Sequence, residues 1–217
     1  MRPSSTLAIL LGLVCAFATE TRASLILGTY EFTGTGTSGD ASVPTSSDVT
    51  FTSFARSSGL SAVSDDDVFN SSGFDTVPAN DPPNTSEYTS FTVSTVSNPV
   101  ILENLTYDSA GDGGAWANGI NIQAELFINS VSHEVSPIFD LPFNSGDSDS
   151  YNFDFADVQI GAGDTAEFRF YANSHRDPGR NVLDNVALTG SVIPEPGTFS
   201  VLLLGGLALA AMRRRRR

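Results

Sequence analysis

No lysine occurs anywhere in the 217 residues, and the only cysteine is Cys15. Arginine therefore supplies all 11 basic side chains, against 25 carboxylates. Between Ser24 and Ile193 four arginines face 23 of those carboxylates, a net charge of −19 at neutral pH. Such a surface repels phosphate backbones, which argues against nucleic acid as a partner. Without cysteine beyond residue 15, no disulfide can staple the body, so packing and backbone pairing have to hold it. Histidine is nearly missing too. His133 and His175 are the only two, and His133-Glu134 lacks the second histidine of a metalloprotease helix, so both read as surface residues.

Sustained helical periodicity is also missing between residues 24 and 193, whereas two-residue alternation recurs. Over residues 119–131, Ile120, Ile122, Ala124, Leu126 and Ile128 fall on one face, while Asn121, Gln123, Glu125 and Asn129 fall on the other. One face is expected in the core and the other in water. Residues 25–32, 49–55, 86–96, 100–107, 150–158, 166–172 and 182–188 repeat the pattern. Tyr151, Phe153, Phe155, Phe168 and Phe170 are expected inward, with Asn152, Asp154, Glu167 and Arg169 outward. Turn residues punctuate these runs, most clearly at residues 34–40, 78–84, 111–114, 144–149, 161–164 and 177–179. Eight or more such strands predict an all-β, antiparallel β-sandwich of jelly-roll-like form, with an up-and-down barrel as the alternative. Residues 56–85, rich in Ser, Asp, Asn and Pro, are the poorest strand candidates and are expected to form a long surface excursion.

The two ends have their own character. Arg2, an apolar run over residues 7–18 and small residues up to Ala23 have the layout of a secretory signal peptide. Cleavage is expected after Ala23, with Ala16-Phe17-Ala18 as a second site. Residues 199–212 form a 14-residue apolar run. As a helix it rises about 21 Å against a hydrocarbon core of about 30 Å, a marginal span. Arg213, Arg214, Arg215, Arg216 and Arg217 follow it and supply a cytoplasmic anchor by the positive-inside bias. The chain divides accordingly into a signal peptide (residues 1–23), a β-sandwich ectodomain (24–191) and a tail (192–217).

Pro194-Glu195-Pro196, a short apolar helix and a terminal arginine cluster, in a chain with a signal peptide, resemble the PEP-CTERM sorting signal of Gram-negative bacteria that make exopolysaccharide. The resemblance implies that an exosortase, a membrane-embedded cysteine protease, recognises the tail and removes it near Pro194, Glu195 and Pro196. It also implies export through the Sec translocon, signal peptidase processing, a transient stay in the inner membrane, and delivery to the cell surface or extracellular matrix. The two prolines fix extended backbone and remove amide donors, which suits a segment held in a protease cleft. Separately, residues 183–190 (Leu183-Asp184-Asn185-Val186-Ala187-Leu188-Thr189-Gly190) resemble the closing strand of bacterial carbohydrate-binding-like jelly rolls. That resemblance implies a structural calcium between Asp184 and an acidic residue near the first strand, here Glu31.

Calcium takes six to eight oxygen ligands, and acidic loops supply them. Besides Glu31 with Asp184, the candidates are Asp65-Asp66-Asp67, Asp108 with Asp112, and Asp147 with Asp149; none has EF-hand spacing, and solvated loops are the plainer account of each. No Gly-x-Ser-x-Gly elbow occurs, and 23 body carboxylates single out no glycosidase pair, so no enzyme is expected. Trp116, beside the glycine-rich loop, is either a sugar-stacking platform or a cap on the core. Tyr88, Tyr107 and Tyr171 share that ambiguity. The expected role is structural or interactive, linked to exopolysaccharide or biofilm. A carbohydrate-binding module is the alternative, and a surface hydrolase using His133 or His175 is the third reading.

Overall fold

Phenylalanine at alternate positions brings two sheets together. The computed structural model describes residues 23–32, 46–64, 67–75, 81–111, 120–141, 148–174 and 179–193. Thirteen strands occur among them: β1 (Leu25–Tyr30), β2 (Val49–Phe51), β3 (Ala55–Arg56), β4 (Ser61–Ala62), β5 (Phe69–Phe74), β6 (Tyr88–Thr95), β7 (Val100–Gly111), β8 (Ile120–Ile128), β9 (Val131–Val135), β10 (Phe139–Leu141), β11 (Asp149–Ile160), β12 (Thr165–Ser174) and β13 (Gly179–Val192). The first sheet runs β11-β7-β13-β5-β4, with β1 on the same side of β13 as β5. The second runs β10-β8-β12-β6-β2, with β9 also on β8 and β3 also on β6. Every pairing is antiparallel, and from β5 onward the chain passes repeatedly from one sheet to the other, as in a jelly roll.

The inner faces meet through one continuous cluster. Phe91, Phe168 and Phe170 from the second sheet pack with Tyr30, Phe54, Phe155 and Tyr107, with ring centroids 4.7–6.2 Å apart across these contacts. The alternation of β8 and β12 falls as expected: Ile122, Ala124, Leu126, Phe168 and Phe170 are buried, and Ile128 is partly buried. Asn121, expected in water, is buried; Asp140 on β10 pairs beside it and the Asn173 Oδ1 accepts from its backbone N–H at 3.3 Å.

Two elements depart from the sequence reading. The excursion expected over residues 56–85 contains β5, a full strand of the first sheet paired with β13. Its middle is polar yet buried, at Asn70 and Ser71. Arg56 satisfies it: Nε donates to Ser71 Oγ and Nη2 to the Asn70 carbonyl, both at 2.8 Å. Gly73 takes φ +103, and a Cβ there would stand 2.9 Å from the Gly59 carbonyl oxygen. The run expected to continue to Val131 instead turns back at Asn129 and Ser130, both with positive φ, into β9. Asparagine adopts this left-handed conformation more readily than most residues, so the hairpin forms without glycine.

The end at which β13 finishes is built from turns. Ile193 N–H donates to the Pro99 carbonyl at 2.9 Å, Asp164 N–H to Gly161, and Val96 N–H to Asp48. The central strand β13 is thus paired to its last residue, immediately ahead of Pro194.

Candidate functional site

Asp184 lies on β13 opposite Asp108 of β7, where the ladder breaks between Asp184 and Ala187. Asn185, with φ +48, fills the bulge. Its backbone N–H donates to Asp184 Oδ1 at 2.8 Å, and its side-chain amide donates to Asp108 Oδ2 at 2.7 Å and to Asp184 Oδ2 at 3.3 Å. Ser150 of β11 donates to the other Asp108 oxygen at 2.5 Å. The positive end of one amide dipole therefore bridges two carboxylates.

Glu31 follows directly on β1, whose last residue pairs with Val186, and Asp67 precedes β5 with φ +60. The Asp184 carboxyl is pushed above the ordinary aspartate value, first by burial and then by Asp108, Asp67 and Glu31, against the opposing hydrogen bond from Asn185 N–H. Three of the acidic groups singled out separately in the sequence thus act on one carboxylate. Asp67 and Asp108 belong with Glu31 and Asp184, and no spacing in the sequence reveals it, because the grouping depends on which strands flank β13. Among the described residues no three His, Cys, Asp or Glu side chains are grouped as a metal ion requires. The donor chemistry is nevertheless all oxygen, as calcium prefers.

A second constellation lies on the outer face of the second sheet. The Arg169 guanidinium stands 4.5 Å from the Tyr88 ring centroid and 4.1 Å from that of Phe127, and its Nη2 pairs with Glu167 at 2.8 Å. Tyr171 donates to Glu125 at 2.7 Å and packs edge-on against Tyr88. Arg169 Nε and Asn121 Nδ2 are buried without a hydrogen-bond partner among the described residues. Sequence alternation puts Arg169 and Glu167 outward but carries no sign that two aromatics enclose the arginine.

Of the aromatic candidates, Tyr107 and Tyr171 are buried and Tyr88 is half-buried. Trp116, His175, Asp65, Asp66, Asp112 and Asp147 lie outside the described residues, as do the signal peptide through Arg22 and the tail from Pro194 to Arg217. His133 is exposed on β9.

Residues 192–217 match the PEP-CTERM protein-sorting motif. The match implies an exported protein whose C-terminal tail anchors in the membrane and is processed by an exosortase. No curated protein matches the sequence. Among solved structures, a family 35 carbohydrate-binding module from Paenibacillus barcinonensis is similar at 13% identity over 63% of this chain and 98% of its own, with a TM-score of 0.29. The CBM22-1 xylan-binding domain of Xyn10C from the same organism gives 12% over 80% and 97%, with a TM-score of 0.35. A cyclase from Fischerella sp. TAU gives 14% over 76% and 99%, with a TM-score of 0.37. Likeness at this level says nothing about what this chain binds.

Proposed function

We propose that the sandwich is a non-catalytic component of the cell envelope or extracellular matrix, with a structural or interaction role linked to exopolysaccharide. The observation that carries this reading is the sorting motif itself, which begins at Val192, within the last paired residues of β13. The body would thus reach the membrane as a folded domain and leave it when the tail is removed. Its strongly negative, disulfide-free surface suits a hydrated matrix, where like charge keeps copies apart. In this reading the Sec translocon and signal peptidase act before the exosortase, and Arg213 to Arg217 stay on the cytoplasmic side.

Cells expressing the intact chain and a version ending at Ile193 are to be fractionated. The intact chain is expected in the membrane and then, shortened at its C-terminus, in the matrix, whereas the truncated chain escapes into the medium. Identical distribution with no C-terminal shortening defeats the reading.

Structural calcium is part of the same proposal. Glu31 and Asp184 would hold it with backbone oxygens, and a divalent cation would relieve both the burial of the Asp184 carboxyl and its repulsion by Asp108, Asp67 and Glu31. The alternative, a carbohydrate-binding module, is favoured by the Arg169 face, where the half-buried Tyr88 and the guanidinium against its ring offer an aromatic surface and charged donors. Retention of the intact chain on immobilised polysaccharide, lost in both Trp116→Ala and Arg169→Ala, is the outcome that would select it.

A further inference from the structure

The end of the sandwich that leads into the tail differs from the rest of its surface. Of the six large apolar side chains exposed among the described residues, four stand there: Leu25 (54% exposed), Ile26 (51%), Val96 (55%) and Val131 (68%). Their placement follows from the register. Leu25 and Ile26 pair with Gly190 and Thr189 of β13, three or fewer residues before its end. Val96 follows β6 in the connection that leads through Pro99 to β7, and its N–H is held by Asp48. Val131 opens β9 opposite Ile128, at the tip where Asn129 N–H donates to Thr165. The four come from both sheets, at the end where Ile193 leaves the fold.

Basic side chains stand away from this end. The arginines among the described residues, Arg56, Arg169 and Arg180, all lie elsewhere, on β3, β12 and the start of β13. The carboxylates at this end are engaged in its turns: Asp48 accepts from Asn98 Nδ2 at 2.8 Å, and Asp164 from Gly161 N–H at 2.8 Å and Asn129 Nδ2 at 2.9 Å. Asp67, Asp75, Asp81, Asp108, Asp140, Asp149 and Asp184 lie toward the middle or the opposite end, whereas Glu103 and Asp157 each stand three residues from the Val100–Ile160 pair that closes this end, and Glu134 lies on β9.

The connection is also short. Five residues, two of them proline, separate Ile193 from Phe199, where the apolar run of the tail begins. Even fully extended, that length spans about 20 Å, so this end cannot stray further than that from the bilayer while the tail is intact. A chain tethered so closely presents one face to the membrane, and this face is the apolar one.

We propose that this end of the sandwich is a lipid-docking surface: before the tail is removed, Leu25, Ile26, Val96 and Val131 rest in the headgroup region of the bilayer that holds the tail. The proposal deepens the sorting reading and rests on it. Four exposed apolar side chains partition into that interface without needing a basic patch. Docking holds the Pro194-Glu195-Pro196 segment at the membrane surface, where a membrane-embedded protease can reach it, and loss of the tether on cleavage releases the surface.

The test uses residues 24–217, the chain left by the expected signal-peptide cleavage and free of cysteine, reconstituted into phosphatidylethanolamine and phosphatidylglycerol vesicles. Single cysteines at Val96→Cys, Val131→Cys and, on the opposite end, Ser148→Cys carry an environment-sensitive dye. Ser148 is exposed and precedes β11, whose first residue pairs with Ser109 near the far end of β7. Lipids bearing a headgroup quencher are expected to quench the Val96 and Val131 probes several-fold more than the Ser148 probe. Equal quenching at all three sites in a chain that floats with the vesicles overturns docking and leaves the anchoring tail intact. Shielding that requires exosortase in the same vesicles overturns it in favour of the protease as occupant. A chain that fails to float with the vesicles overturns both the tail anchor and the docking built on it.

Discussion

The Arg56 guanidinium lies 3.8 Å from the ring centroid of Phe69 while donating to Ser71 and to the Asn70 carbonyl. One side chain thus covers the aromatic that starts β5 and donates to the Asn70 carbonyl and the Ser71 hydroxyl in the buried middle of the same strand. Burial lowers the Arg56 pKa, and the guanidinium acts as a cation against the Phe69 ring. Arg56→Ala is expected to cost about 2–4 kcal/mol in urea denaturation, because buried acceptors are left without donors. Arg56→Lys recovers only part of it, since an ammonium cannot donate in two directions from a plane.

Gly190 has no room for a side chain. A Cβ there would meet the Ile101 carbonyl oxygen at 2.2 Å and Leu27 Cδ1 at 2.8 Å. Gly190→Ala is therefore expected to force β1 or β7 away from β13, with a loss of about 2–4 kcal/mol and a lowered melting temperature.

The two perturbed aspartates have opposite pH signatures. Asp164 is held below its ordinary value by hydrogen bonds from Asn129 and Gly161. Its contribution is present above the unfolded value of 3.8 and is lost as pH falls through the lower folded value. Asp164→Asn is expected to lower the melting temperature at pH 7 and to match the parent in strong acid. Asp184 is held above its ordinary value, so its ionised form destabilises the metal-free fold at neutral pH, and this penalty disappears as pH falls toward the unfolded value of 3.8. In EDTA, Asp184→Asn is expected to melt higher than the parent at pH 7, with the difference closing as the pH approaches 4.

Calcium reverses that order. If Glu31 and Asp184 hold the ion, calcium at a hundredfold excess over its Kd stabilises the parent by about 3 kcal/mol, and Asp184→Asn loses the response. A parent melting curve that is the same in saturating calcium and in EDTA rules the site out.

Legibility in the sequence followed local pattern. The alternation of Phe168 and Phe170 with Glu167 and Arg169, and of Ile122, Ala124 and Leu126 along β8, is written in neighbouring residues, and these strands sit where the pattern puts them. β5 escaped because Asn70 and Ser71 look solvent-facing until Arg56, fourteen and fifteen residues earlier, is seen to serve them. The β8–β9 hairpin escaped because its left-handed turn uses Asn129 and Ser130 in place of glycine. In the carboxylate cluster, the closing-strand resemblance pairs Glu31 with Asp184. Asp67 and Asp108 join them only through the topology, which sets β1, β5 and β7 around β13.

The position of β13 also fixes how the protein bears tension. The tail pulls on Ile193, and through it on a strand bonded to β7 along one side and to β1 and β5 along the other. Force directed along β13 loads these ladders in shear, so many hydrogen bonds must yield together where peeling at an edge would break them one at a time. A strand at the rim, such as β11, has a ladder on one side only and would yield to the same pull at lower force. The sandwich is attached to its tail by a central strand bonded on both sides, so whatever extracts, holds or cuts that tail works against two ladders at once.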